Sequence, residues 1–193
     1  MLARMRITGG NLRGRALAAP GDVAVRPTSD KARQAIFNIL HHNSFAGDFA
    51  LEGARVADLF AGTGALGIEA ISHGASFCLF VDDSAESRGL IRNNVEALGL
   101  TGVTKIWRRD ATDLGPMSPG SGGPFDLVFL DPPYRKGLID PALRALHGGG
   151  WLAPGALLMA EMATDEPAPQ ERGFTQLDER NYGETRVVFL RAA

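Results

Sequence analysis

The sequence predicts an α/β protein built on a doubly wound, seven-stranded sheet that ends in an antiparallel C-terminal hairpin and carries a basic N-terminal hairpin and helix. Three observations carry this. From Arg55 onward, short apolar runs alternate with amphipathic helical stretches. A glycine-rich turn, Gly62-Thr63-Gly64, joins the first run to a helix. The last two runs are separated only by Asn181-Tyr182-Gly183, a connection short enough for an antiparallel hairpin.

Taken in order, Met5 to Thr8 and Arg15 to Ala18 read as two short strands around Gly9-Gly10-Asn11. Thr28 or Ser29 caps a helix that runs to about His42, with Ala32, Ala35, Ile36, Ile39 and Leu40 on its apolar side. Strands follow at Arg55 to Phe60, Ser76 to Asp82, Val103 to Arg109, Phe125 to Asp131 and Ala156 to Glu161, then at Phe174 to Arg180 and Glu184 to Leu190. Helices are expected at Ala65 to His73, from the Ser84 cap to Gly99, and at Leu138 to Leu146. Gly115 to Pro124, rich in glycine and proline, is a flexible loop where a crossover helix would otherwise sit. We read residues 1–45 as the basic extension and residues 46–193 as the main domain.

The 193 residues, 45% hydrophobic, suit one substantial core. No apolar run reaches the roughly 18 residues of a membrane span, and the first residues lack a signal-peptide core, so a cytoplasmic location is expected. The lone Cys78 sits in an apolar run and reads as a buried, inert thiol. His41 and His42 are adjacent, while His73 and His147 stand alone, so no metal spacing is present. Trp107 and Trp151 read as packing residues. The net charge is −2, but residues 1–34 hold seven basic side chains against Asp22 and Asp30, a local +5 that leaves −7 for the rest. Such asymmetry suits an arm for phosphates on an acidic body, or a solvated basic strand pair.

Gly62, Gly64 and Gly67, with Asp82 twenty residues past Gly62, satisfy the dinucleotide fingerprint of Rossmann-like sheets. A nicotinamide dehydrogenase is thus one reading. Asp58 argues against it, because a carboxylate just before the glycines sits badly beside a pyrophosphate and well beside an ammonium. Asp82 can take two ribose hydroxyls, and Asp110, with the Ala111 amide beside it, can accept from an adenine amine. Acids at three successive strand ends fit a cationic nucleoside, S-adenosylmethionine. Phe60 and Thr63 belong to the same loop. Asp131-Pro132-Pro133-Tyr134 follows the apolar run Phe125 to Leu130, so a carboxylate and an aromatic ring are presented by a stiff turn at a strand's C-terminal end. That arrangement suits a flat, amine-bearing ring.

The Asp58-to-Gly67 loop, Asp82, Asp110 and the Asp-Pro-Pro-Tyr tetrad resemble class I S-adenosylmethionine-dependent methyltransferases that modify exocyclic amines of nucleobases. Arg6-Ile7-Thr8-Gly9-Gly10, Arg13-Gly14-Arg15 and the block Arg26 to Leu40 narrow the resemblance to the small-subunit ribosomal RNA methyltransferase D family, over about residues 4 to 190. It implies a seven-stranded methyltransferase fold and transfer of methyl to the 2-amino group of a guanine in 16S rRNA within a small-subunit particle, by a monomer that needs no metal. The catalytic residues are then Asp131, Pro132, Pro133 and Tyr134, with Asp131 and the Pro132 carbonyl accepting the amine hydrogens and Tyr134 stacked on the base. Asp131 or water takes the proton. Arg6, Arg13, Arg15, Arg26 and Arg33 are expected on RNA phosphates, with Thr28 near the target, and Arg135 and Lys136 extending that surface. The family usually carries Glu at Asp82, and Asp83 is the alternative ribose contact. A DNA adenine N6-methyltransferase shares the loop and tetrad, and a non-catalytic ribosome-assembly factor could keep the fold.

Overall fold

The computed structural model describes residues 5–21, 29–42 and 44–193. Arg26 and Thr28, expected near the target nucleotide, lie outside the described residues. Five strands are parallel: β1 (Arg55–Leu59), β2 (Phe77–Val81), β3 (Thr104–Trp107), β4 (Phe125–Leu130) and β5 (Leu152–Ala163). The antiparallel pair β6 (Phe174–Tyr182) and β7 (Thr185–Ala192) completes the order β3-β2-β1-β4-β5-β7-β6, with β7 against β5. The order reverses between β1 and β4, and in such sheets ligands bind outside the strand C-termini at that reversal.

Nearly every residue of β1, β2 and β4 is buried, as expected of parallel strands covered on both faces. On one face Val56, Phe80, Phe129, Met159 and Phe189 pack under α1 (Asp30–His42), α2 (Ala65–Ser72) and α3 (Ala85–Ala97), together with Met5, Ile7 and Leu17 of the N-terminal hairpin. The extension therefore shares the core of the sheet. On the other face Leu59, Val81, Val128, Leu158 and Val188 pack under α4 (Ile139–Gly148). Leu114, Met117 and Trp151 fill the space beside α4, where the crossover from β3 to β4 forms no α-helix. That crossover is pinned, not loose: the Trp151 indole N–H donates to the Gly115 carbonyl at 2.8 Å, and Met117 N donates to the Gly149 carbonyl at 2.9 Å.

Local signals account for the helix starts. The Ser29 hydroxyl accepts from Ala32 N at 3.1 Å at the start of α1, and the Ser84 hydroxyl accepts from Ser87 N at the start of α3. Phe37, outside the expected apolar stripe of α1, is buried, while Ala35 and Ile39 are half-buried. Strand β5 begins four residues before the expected Ala156, because Leu152 already pairs with Phe125 before a register shift.

The N-terminal hairpin departs from two regular strands. Arg6 and Ala16 form a single antiparallel bridge, and the turn extends through Gly14. The reason lies in where the backbone donors go: Thr8 N and Gly9 N donate to the Glu69 carboxylate, Asn11 N to the Ser72 carbonyl and Leu12 N to the Ser72 hydroxyl, all on α2. Gly10 makes this docking possible. Its φ is 75°, and a Cβ there would stand 2.0 Å from the Ser72 carbonyl oxygen.

Candidate active site

The C-terminal ends of β1, β2, β3 and β4 open into a cavity of about 530 Å³, within the roughly 300–1,000 Å³ of small-molecule sites. Its wall comes from Asp58 and Phe60 to Thr63 after β1, Asp82 to Ser84 after β2, Arg109 to Ala111 after β3, and the whole Asp131-to-Tyr134 turn after β4. Ser84, Ser87 and Arg109 were not anticipated. Gly64 and Gly67, expected at the cofactor, do not line the cavity. Gly67 instead lets α2 lie close on β2, since a Cβ there would stand 2.5 Å from the Cys78 sulfur and from the Phe80 ring. Phe60 holds φ at 57°, a left-handed conformation that a bulky residue adopts only where its surroundings impose it.

Asp58 is 1% exposed, and its Oδ2 accepts from Gly67 N at 3.0 Å. Burial pushes its pKa up to about 8; the Gly67 amide opposes the rise and the charge of Asp82 adds to it. Burial leaves this carboxyl at the cavity wall without a counter-charge, and an incoming cation, as the ammonium of a methionine moiety would be, stabilises its ionised form. Asp82 braces the glycine loop, with Oδ2 accepting from Gly62 N and Oδ1 from Ser84 N, both at 2.9 Å. Each oxygen keeps a lone pair for a ribose hydroxyl. Asp83 is exposed at the same wall. Asp110 is also exposed, and the Thr112 hydroxyl and amide donate to its Oδ1, holding the carboxyl below its ordinary pKa. The donor set thus fits a nucleoside that carries a cationic amino-acid tail.

Asp131 is half-buried at the end of β4, Pro132 is buried and Pro133 exposed. The Tyr134 hydroxyl lies 2.8 Å from both the Glu161 carboxylate, to which it donates, and the Thr185 hydroxyl. Burial and the nearby Glu161 charge raise the phenol far above its ordinary pKa, so it stays neutral. Glu161 is 4% exposed at the end of β5. Neither Glu161 nor Thr185 was anticipated. The ring is held by its polar end at the cavity wall.

The arm is sorted by burial. Arg6, Arg13 and Arg15 are exposed, with Arg6 bonded to the Gly14 carbonyl and Arg15 to the Ala97 carbonyl. Arg33, expected on a phosphate, is fully buried: its Nε meets the Glu69 carboxylate at 3.1 Å, and Nη2 meets Asp30 at 2.7 Å and the Arg6 carbonyl. A guanidinium enclosed by two acids holds the arm to the body and is not offered to RNA. Arg135 pairs with Asp165 at the surface. His73 does not stand alone, since its Nδ1 lies 2.8 Å from His41 Nε2 and its ring stacks on Phe37 at 4.9 Å. Trp107 ends β3, edge-on to the buried Trp151 and under the Arg109 guanidinium. Among the described residues no group of His, Cys, Asp and Glu is arranged to hold a metal ion, and no helix is long and apolar enough to cross a membrane.

A family described as conserved hypothetical protein 95 matches residues 5–191. The ribosomal RNA small subunit methyltransferase D of Escherichia coli is 35% identical over 86% of this chain and 78% of its own length. YlbH of Bacillus subtilis is 31% identical over 97% of this chain and 98% of its own. The solved structure of yhhF from Escherichia coli superposes with a TM-score of 0.79 at 27% identity, covering 98% of each chain.

Proposed function

We propose, because this chain belongs to the ribosomal RNA small subunit methyltransferase D family, that it transfers a methyl group from S-adenosylmethionine to the exocyclic 2-amino group of a guanine in 16S rRNA. The observation that supports it best is the meeting of two features in one cavity: acids at the ends of β1, β2 and β3 that suit a cationic nucleoside, and the Asp-Pro-Pro-Tyr turn at the end of β4. The bound cofactor supplies an electrophilic methyl on a sulfonium. The work left to the protein is orientation. A guanine amine is a weak nucleophile because its lone pair is delocalised into the ring. Asp131 and the Pro132 carbonyl accept its two hydrogens and turn the lone pair toward the methyl carbon, Asp131 offsets the positive charge that develops on nitrogen, and as the N–C bond forms and the S–C bond breaks one of the two protons passes to Asp131 or water. The Tyr134 ring stacks on the base, and with its hydroxyl tied to Glu161 and Thr185 the stacking plane is set before the base arrives. We place the reaction in the cytoplasm, on a small-subunit particle, with a monomeric enzyme and no metal.

The experiment is transfer of labelled methyl to small-subunit particles and to duplex DNA, followed by nucleoside digestion. Label in 2-methylguanosine from the small-subunit RNA is the expected result. Label in N6-methyladenine from DNA overturns it in favour of an adenine enzyme. Tight cofactor binding without transfer to either overturns it in favour of an assembly factor.

Asp58 gives a pH-dependent test. With its carboxyl protonated up to about pH 8 in the free protein, an ammonium meets a neutral partner at low pH and a carboxylate at high pH. Cofactor affinity is therefore expected to rise from pH 6 to 8, with protons released on binding, and to stay flat in Asp58→Asn; calorimetry in buffers of different ionisation enthalpy measures both. Stability runs the other way. The folded chain keeps a proton that an unfolded Asp loses near pH 3.9, so this group lowers stability progressively from about pH 4 to about 8.

A further inference from the structure

A second, polar cleft of about 190 Å³ lies between the turn of the N-terminal hairpin and α1, and it shares no residue with the cofactor cavity. Arg13, Gln34 and Asn38 stand at its mouth, all exposed, and their side chains make no hydrogen bond or ion pair with the described residues. Gln34 and Asn38 are one helical turn apart and so share a face of α1. The Phe37 ring and His73 form the inner wall, stacked on each other, with His73 fixed by His41. His73 Nε2 faces the buried Glu69 carboxylate at 3.4 Å. Gly9 closes over this edge of the imidazole, where a Cβ would stand 2.8 Å from Nε2. Among the described residues no carboxylate lines the cleft, and the Glu69 carboxylate behind it is taken up by Thr8, Gly9 and Arg33.

We propose that this cleft is an RNA subsite that takes a phosphodiester and its adjoining ribose, away from the nucleotide that is methylated. The proposal rests on the RNA-methylating function above. A guanidinium fork matches phosphate oxygens, and two free carboxamides, each both donor and acceptor, match a ribose 2′-hydroxyl, which is also both. The volume is below that of the roughly 300–1,000 Å³ sites that enclose whole cofactors, which suits a backbone unit. Exposed Arg6 and Arg15 continue the positive path along the hairpin. Position adds a length requirement. His73 follows the C-terminal end of α2, while the cofactor loop opens at its N-terminal end; eight residues of helix separate the two by about 12 Å. A single nucleoside therefore cannot fill both sites, and a longer RNA can.

The test compares wild type, Arg13→Gln and the double variant Gln34→Ala/Asn38→Ala, all changed at exposed positions. Binding of a 16S rRNA fragment is measured by fluorescence anisotropy across a salt series, beside KM and kcat for small-subunit particles and Kd for S-adenosylmethionine. Each variant is expected to weaken RNA binding and raise the particle KM by about tenfold, the equivalent of one good polar contact set. The kcat and the cofactor Kd stay unchanged. Arg13→Gln also lowers the log–log salt slope by about one, as loss of one phosphate contact requires. The double variant is expected to leave binding of the same sequence as single-stranded DNA unchanged; equal weakening for DNA overturns the ribose assignment. Wild-type RNA affinity and salt slope in both variants overturn the subsite. Binding without methyl transfer by the wild type overturns the proposed reaction, while the same affinities still decide the cleft; no RNA binding by the wild type overturns both.

Discussion

Asp131→Ala is expected to lower methyl transfer by at least about 10²–10³-fold, the range lost when one preorganised electrostatic partner of a reacting centre is removed. The cofactor Kd should change by less than about twofold, because the acids suited to the cofactor stand on β1, β2 and β3 and Asp131 stands on β4. The size of the effect follows from the amine. With its lone pair conjugated to the ring, the nitrogen gains nucleophilicity only as it becomes tetrahedral, and a carboxylate acting on its hydrogens is worth more in that state than in the ground state. Asp131→Asn keeps one carbonyl acceptor but loses the charge, so it should fall between wild type and Asp131→Ala, with kcat affected more than the particle KM. Single-turnover transfer at saturating cofactor separates the two constants. An Asp131→Ala protein within about threefold of wild type would remove Asp131 from the chemistry and leave Tyr134 and Pro132 as binding elements only.

The parts of the site that were legible in the sequence are those in which strand, turn and functional group are contiguous. Val56 to Gly67 and Phe125 to Tyr134 each contain a buried strand, the turn that ends it and the polar side chain presented there, so a period-two or apolar run followed by glycine or proline already implies the placement. Groups that act across the fold were not legible. Tyr134 finds Glu161 and Thr185 at 27 and 51 positions further along the chain, and only the packing of β4, β5 and β7 side by side brings them together. A count of positive charges likewise cannot tell Arg13, which is exposed, from Arg33, which is enclosed. One signal was nevertheless present. Glu69 stands in Ala65-Leu66-Gly67-Ile68-Glu69-Ala70-Ile71, a helix apolar on nearly every side, and a carboxylate in such a helix must be buried and must therefore find a cation and hydrogen-bond donors. Read that way, Glu69 calls for a buried arginine, and Arg33 is the one on a neighbouring apolar helix face.

Arg33→Ala is expected to destabilise the protein by about 3–5 kcal/mol, the cost of leaving one member of a buried ion pair without its partner. For a chain of this size that is a fall in melting temperature of roughly 6–20 °C. Burial alone would raise the Glu69 carboxyl, but bonds from His73 and Thr8 and the charge of Arg33 outweigh it and hold its pKa below the ordinary glutamate value. An acid with a depressed folded pKa adds stability above its unfolded value near 4.3 and loses it as pH falls below that value. Without Arg33 the buried carboxylate is the costly species, so protonation relieves it, and the gap between wild type and variant should narrow from pH 7 to pH 4 in thermal unfolding. Arg33→Lys should recover only part of the loss, since an ammonium cannot reach Glu69, Asp30 and the Arg6 carbonyl together as the guanidinium does. The functional cost should be selective. Glu69 holds Thr8 and Gly9 of the hairpin and Arg33 of α1 at once, and it sits on the helix that opens at the cofactor loop. Loosening that joint should therefore weaken RNA binding at temperatures where S-adenosylmethionine binding is still intact, whereas a destabilisation spread evenly over the fold would lower both together.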